Sequence, residues 1–192
     1  MTHAAGIGTG RGRNGLRPFI WGGAACLLLL PAIAMQFFPA SDVHWTASDF
    51  VAMGAMLALA CGLYELGAWL SRDTAYRAGF GMAVLAGFLT IWVNLAVGML
   101  GDEGNDANAM FLGVLAIAAL GAVVARLAPM GMARAMFATA LAQLAVVGIA
   151  TLLGSFEARE LMLTACFALP WLASGQLFRS AAQTRSRNAA ME

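Results

Sequence analysis

Six stretches of this chain match the thickness of a bilayer's hydrocarbon core and carry almost no charge: residues 18–38, 49–70, 78–100, 109–128, 132–153 and 161–178. A helix rises about 1.5 Å per residue, so roughly 20 apolar residues cross a core of about 30 Å. Inside lipid each backbone N–H and C=O must find its partner within the segment, which makes every such stretch a helix. Between them lie turn and charge signals: Pro39 and Ser41, Ser71-Arg72-Asp73, residues 101–108, 129–131 and 154–160. Connections this short join neighbours antiparallel. Composition agrees, since the 192 residues are 61% hydrophobic and 11% charged, whereas soluble domains are about 25% charged. The expectation is an all-α, six-helix transmembrane bundle over 18–179, with frayed polar tails at 1–17 and 180–192.

Absences narrow the chemistry. The chain has no lysine, so a retinal-type Schiff base has no amine to form on. His3 and His44 lie outside the apolar runs, and Cys26, Cys61 and Cys166 each stand alone within one. Neither haem ligation nor a metal-binding cysteine spacing is present. No cofactor, metal or nucleic-acid partner is expected. No serine–histidine, cysteine–histidine or paired-carboxylate arrangement falls within one leaflet, so no enzyme is expected either. Tyr64 and Glu65, the one acid–base pair to weigh, point about 100° apart on a helix.

Arginine placement gives the direction. With the N-terminus in the cytoplasm, every arginine except Arg159 falls inside, as the positive-inside rule requires. Asp42, Asp49, Asp102, Glu103, Asp106, Glu157 and Glu160 then fall outside. Both termini are cytoplasmic in this arrangement. The start also has features of a secretory signal, with arginines, an apolar run and Ala32-Ile33-Ala34 as an A-x-A cleavage site. Apolar residues continue to Phe38, which favours an uncleaved first span.

Helices in lipid associate through small and polar faces. In the second span Gly54, Ala58, Cys61, Gly62 and Glu65 share a face, opposed by Met56, Leu59, Leu63, Leu66 and Leu70. In the third, Ala83, Gly87, Thr90, Asn94 and Gly98 oppose Leu85, Phe88, Leu89, Trp92 and Met99. The fifth places Thr139, Gln143, Val147 and Ala150 together. The small and polar faces are expected to turn inward and the large ones toward lipid. Glu65, about 8 Å from the inner end, then has two readings. It is a carboxylate protonated or paired near the interface, with Arg126 and Gln176 as candidate partners, or part of an intramembrane polar track with Gln36, Asn94, Gln143 and Thr90. Interhelical hydrogen bonding is the plainer role for Asn94 and Gln143.

The outer loop at 101–108 is dense in oxygen ligands, with Asp102, Glu103 and Asp106 beside two asparagines. Its spacing does not match a calcium loop. A turn capped by Asp106 or Asn108 at the start of the fourth helix is the simpler expectation. An internal repeat at an offset of 57 residues aligns Arg77-Ala78-Gly79-Phe80 with Arg134-Ala135-Met136-Phe137, and with it spans two and three with four and five.

Met35-Gln36-Phe37, Trp45, Asp49-Phe50, Tyr64-Glu65, Asn94-Leu95-Ala96-Val97-Gly98, the 101–108 turn and Gly131-Met132-Ala133-Arg134-Ala135 together resemble a group of small uncharacterised bacterial multi-pass inner-membrane proteins. The resemblance covers about residues 28–153 and implies a bacterial cytoplasmic membrane. It brings no activity or site residues. The functional expectation is a non-enzymatic membrane protein, an accessory or packing subunit in contact with lipid and with another membrane protein or a second copy through its small-residue faces. The alternative is a conduit for protons, small cations or small solutes that uses Glu65 and Asn94, helped by the acidic outer side. An enzyme acting on lipid ranks behind both.

Overall fold

A computed structural model describes residues 15–38 and 43–191. Among these residues the chain forms helices and no strand, and six helical segments are long and apolar enough to cross a membrane. Helix α1 spans Arg17–Phe37, with Pro18 in its first turn, where a missing N–H costs nothing. Helix α2 spans Ala47–Leu70 and begins at a capping box, in which the Thr46 side chain and Asp49 satisfy each other's backbone N–H. Asp73 caps α3, Thr74–Ala96, by accepting from the Tyr76 N–H at 3.0 Å. A 3-10 turn at Asp106–Ala109 leads into α4, Met110–Val124. Pro129 opens α5, Pro129–Leu153, and Gly154 closes it in the left-handed conformation.

The sixth span is two helices, α6 at Ala158–Cys166 and α7 at Ala168–Ala189. Pro170 explains the break: its ring crowds the carbonyl four residues back, that of Cys166, and it has no N–H to give it. Residues 180–189, expected to fray, continue α7 as helix, with Ala181 and Ala182 buried. At the other end of α3, Met99 and Leu100 leave the helix and turn into the protein, where they are 6% and 0% exposed.

Helix α7 is the post of the bundle. Both α3 and α5 pack on it, α4 packs on α5, α2 on α3, and α1 on α2. Small residues allow these approaches. A Cβ on Gly79 would meet Leu177 and Phe178 at 3.2–3.3 Å, and one on Gly175 would meet the Phe137 ring at 2.8 Å. Ser174 adds a hydrogen bond to the Gly79 carbonyl at 2.7 Å. The main core gathers Tyr76, Phe80, Met132, Met136, Trp171 and Phe178, with alanines between them. A second cluster around Leu100, Phe111, Val114 and Val146 lies toward the opposite end. Helix α1, by contrast, has no buried residue.

The two ends of the bundle differ. At one end the α2–α3 and α4–α5 turns meet, since the Tyr76 hydroxyl donates to the Leu127 carbonyl at 2.8 Å. At the other end, the loop after α3 meets α6: the Thr164 hydroxyl donates to the Met99 carbonyl at 2.8 Å, and Glu160 accepts from the Gly101 N–H. The first end carries Arg17, Arg72, Arg77, Arg126, Arg134 and Arg179, and the second carries the acidic loop. They are called here the arginine end and the acidic end.

Candidate functional site

Glu65 does not face the centre of the bundle. Its Oε1 accepts from Arg17 Nε at 2.8 Å and from Trp21 Nε1 at 2.5 Å, both on α1. The expected partners Arg126 and Gln176 belong to the α4–α5 turn and to α7, neither of which holds Glu65, whose pair is with α1. Gly54, on the same face of α2, likewise faces Leu28 of α1, whereas Ala58 and Gly62 are exposed. Tyr64, the neighbour of Glu65, goes the other way and lies against Gly81 of α3. The two side chains do not converge.

The remaining track residues are held separately. The Thr90 hydroxyl, fully buried, donates to the Ala86 carbonyl of its own helix at 2.8 Å. Gln143, also fully buried, donates through Nε2 to the Thr164 carbonyl at 3.0 Å, and its Oε1 has no partner. Asn94, near the acidic end, also has a buried Oδ1 without a partner. Gln36 is exposed in the last turn of α1. No described hydrogen bond joins any two of Gln36, Glu65, Thr90, Asn94 and Gln143.

The acidic loop is organised by its amides. Asn108 accepts from the Met99 and Leu100 N–H groups, both at 3.0 Å, and donates to the Leu100 and Asp102 carbonyls at 3.2 and 2.7 Å. All the hydrogen-bonding capacity of its side chain is directed at this one loop. The cap of the 3-10 turn is Asn105, whose Oδ1 accepts from the Ala107 N–H at 2.9 Å, rather than Asp106 or Asn108. Asp102 accepts from the Gly104 N–H at 3.1 Å. Asp102, Glu103 and Asp106 are all exposed. Among the described residues no group of three His, Cys, Asp or Glu side chains is placed to hold a metal ion.

The prominent concavity lies elsewhere. A cavity of about 440 Å³ runs between α2, α3 and α4, with Met132, Met136 and Trp171 at its base. Met56, Leu59, Leu63 and Leu66, expected to face lipid, form its α2 wall, and Ala118, Ala119 and Ala122 form its α4 wall. Leu59, Leu63, Leu66 and Ala119 remain exposed along it, so it opens sideways between α2 and α4. No charged side chain lines it, and neither does any residue of the proposed track. The sequence signal for it was the pairing of a large-residue face on α2 with small residues on α3 and α4. A single helix could not show that the two faces meet.

At the arginine end the cavity finishes beside an unusual turn. Arg126 and Leu127 both take positive φ, 49° and 57°, without a glycine. Each such residue costs about 1–2 kcal/mol. The turn is held by the Tyr76 hydroxyl on the Leu127 carbonyl and by Pro129 just beyond. It leaves Arg126 exposed and places the Leu127 side chain in the cavity wall.

Comparison of the chain with protein-family models, with curated proteins and with solved structures returns no match.

Proposed function

We propose that this is a non-enzymatic multi-pass protein of the bacterial cytoplasmic membrane, with both ends in the cytoplasm, that works as an accessory or packing subunit rather than as a conduit. The observation that carries the reading is where the polar side chains of the apolar helices go. Thr90 and Thr139 bond to their own helix, Ser174 and Gln143 tie neighbouring segments, and Glu65 is paired with Arg17. These are the structural uses of polar groups in lipid. The cavity beside them has apolar walls. Helix α1, with no buried residue and with Phe19, Leu27, Leu29 and Leu30 exposed, supplies a face for a neighbouring membrane protein. The resemblance to small bacterial inner-membrane proteins and the arginine bias support the location and the direction.

One observation favours the conduit instead: Asn94 Oδ1 and Gln143 Oε1 are buried acceptors without partners, and a passing proton donor or cation would satisfy such atoms. A flux assay in liposomes separates the two readings. The packing reading expects proton and monovalent-cation flux no greater than in protein-free vesicles, unchanged by Glu65→Gln or Asn94→Leu. Selective flux abolished by either substitution would replace it with the conduit.

A further inference from the structure

We propose that the cavity between α2 and α4 is a binding site for one acyl chain of an anionic phospholipid from the leaflet at the arginine end, with its phosphate at the α4–α5 turn beside Arg126. Dimensions select the guest. Along α2 the cavity reaches from Met56 to Leu66, about 15 Å at 1.5 Å per residue. That is about half of a 30 Å hydrocarbon core, the depth of a single leaflet. Dividing about 440 Å³ by this length leaves a cross-section of about 30 Å². A slot of this section with an apolar lining throughout suits an extended hydrocarbon chain better than a helix about 10 Å wide. The base suits it as well, because Met132 and Met136 are flexible side chains that adapt to an irregular apolar guest.

Charge selects the headgroup. Leu127 forms the cavity wall at the arginine end, and Arg126, adjacent in sequence, is exposed on the same strained turn. The α2–α3 turn on the other flank carries Arg72 and Arg77, both engaged in interactions of their own. Its acid, Asp73, is committed to the α3 cap. A phosphate at the mouth therefore meets the Arg126 guanidinium, a group that matches phosphate geometry. The paired left-handed residues are what place an arginine at the mouth and a leucine in the wall side by side, and backbone strain held in this way is characteristic of ligand sites.

Trp171 provides the readout, because it is 2% exposed and lines the base. The protein, with Trp21, Trp45, Trp69 and Trp92 changed to Phe, is reconstituted in phosphatidylcholine vesicles. These are doped with phosphatidylglycerol or phosphatidylcholine carrying dibrominated chains, and quenching of Trp171 is followed. The brominated phosphatidylglycerol should quench at about fivefold lower mole fraction than the brominated phosphatidylcholine, the preference expected of one basic residue near a headgroup. Arg126→Gln should erase that preference while leaving quenching by the neutral lipid in place. Ala119→Phe, at an exposed position on the cavity wall, should protect Trp171 from both lipids. Should Ala119→Phe not fold, Gly87→Leu serves the same purpose: a Cβ at Gly87 meets Trp171 and Leu115 only at ordinary contact distance, 3.8–3.9 Å. Equal quenching by the two lipids in the protein that retains Arg126, or a preference that survives Arg126→Gln, would overturn the headgroup assignment. Quenching unaffected by the filling substitutions would overturn the site itself. Neither result bears on flux or on partners, so this inference and the proposed function fail separately.

Discussion

Two residues show how much of this molecule rests on single contacts at its ends. Gly98 has φ +75°, and a Cβ there would run into the Asp102 carbonyl and Asn108 Nδ2. Gly98→Ala therefore adds backbone strain to a clash with backbone, and should destabilise the protein by about 2–4 kcal/mol. Thermal unfolding in detergent, followed by circular dichroism, measures it, and an unchanged midpoint would mean that the loop is not built as described. At the other end, Tyr76 is 2% exposed and its hydroxyl supports the Leu127 carbonyl. Tyr76→Phe keeps the ring contacts with Phe80 and Phe178 and takes the donor from the half-buried Leu127 carbonyl, a loss of about 1 kcal/mol in thermal unfolding. Neither role was visible in the sequence. In the sequence Gly98 belongs to a small-residue stripe, and nothing marks Tyr76, because its partner lies 51 residues away. Contacts of that separation depend on which helices become neighbours.

At the scale of the helix, existence and direction of packing were legible to different degrees. Apolar length alone identified the spans, since lipid leaves the backbone no alternative to helix. The buried face of α5 was legible too, with Thr139, Gln143 and Ala150 fully buried and Val147 half-buried, because α5 packs on both α7 and α4. Helix α2 was legible in part: Leu59, Leu63, Leu66 and Leu70 are exposed as expected, but Gly54 and Glu65 on the small face meet α1 rather than the bundle centre, an arrangement set by the packing order α1, α2, α3, α7, α5, α4 and not by the helix itself. The place of Glu65 depends on the same order. Its ion pair joins side chains that are 65% and 30% exposed, so it orients α1 more than it stabilises the bundle. Glu65→Gln should lower the stability of the whole protein by less than about 1 kcal/mol. It should nevertheless weaken disulfide cross-linking between cysteines placed at Leu28 and Gly54, which face one another across α1 and α2. The double reversal Arg17→Glu with Glu65→Arg should restore cross-linking. Persistence of full cross-linking in Glu65→Gln would show that apolar contact alone seats α1.

For the molecule as a whole, the testable statement is its direction in the membrane. In a background lacking Cys26, Cys61 and Cys166, a cysteine at Gly104 or Ser155 should react with an impermeant maleimide added to intact cells, and one at Thr74 only after the membrane is opened. The opposite pattern would invert the assignment of the two ends. The central place of α7 carries a different consequence, one of timing. Helices α3 and α5 both rest on a helix that is synthesised after them. When α3 and α5 enter the bilayer, Gly79 and Phe137 still lack their partners on α7. Their packing cannot close until Ser174 and Gly175 arrive. The chain thus passes through an interval in which its interior faces are open to quality-control proteases, and nascent chains stalled before Ala168 should turn over far faster in a pulse-chase than those released after Ala189.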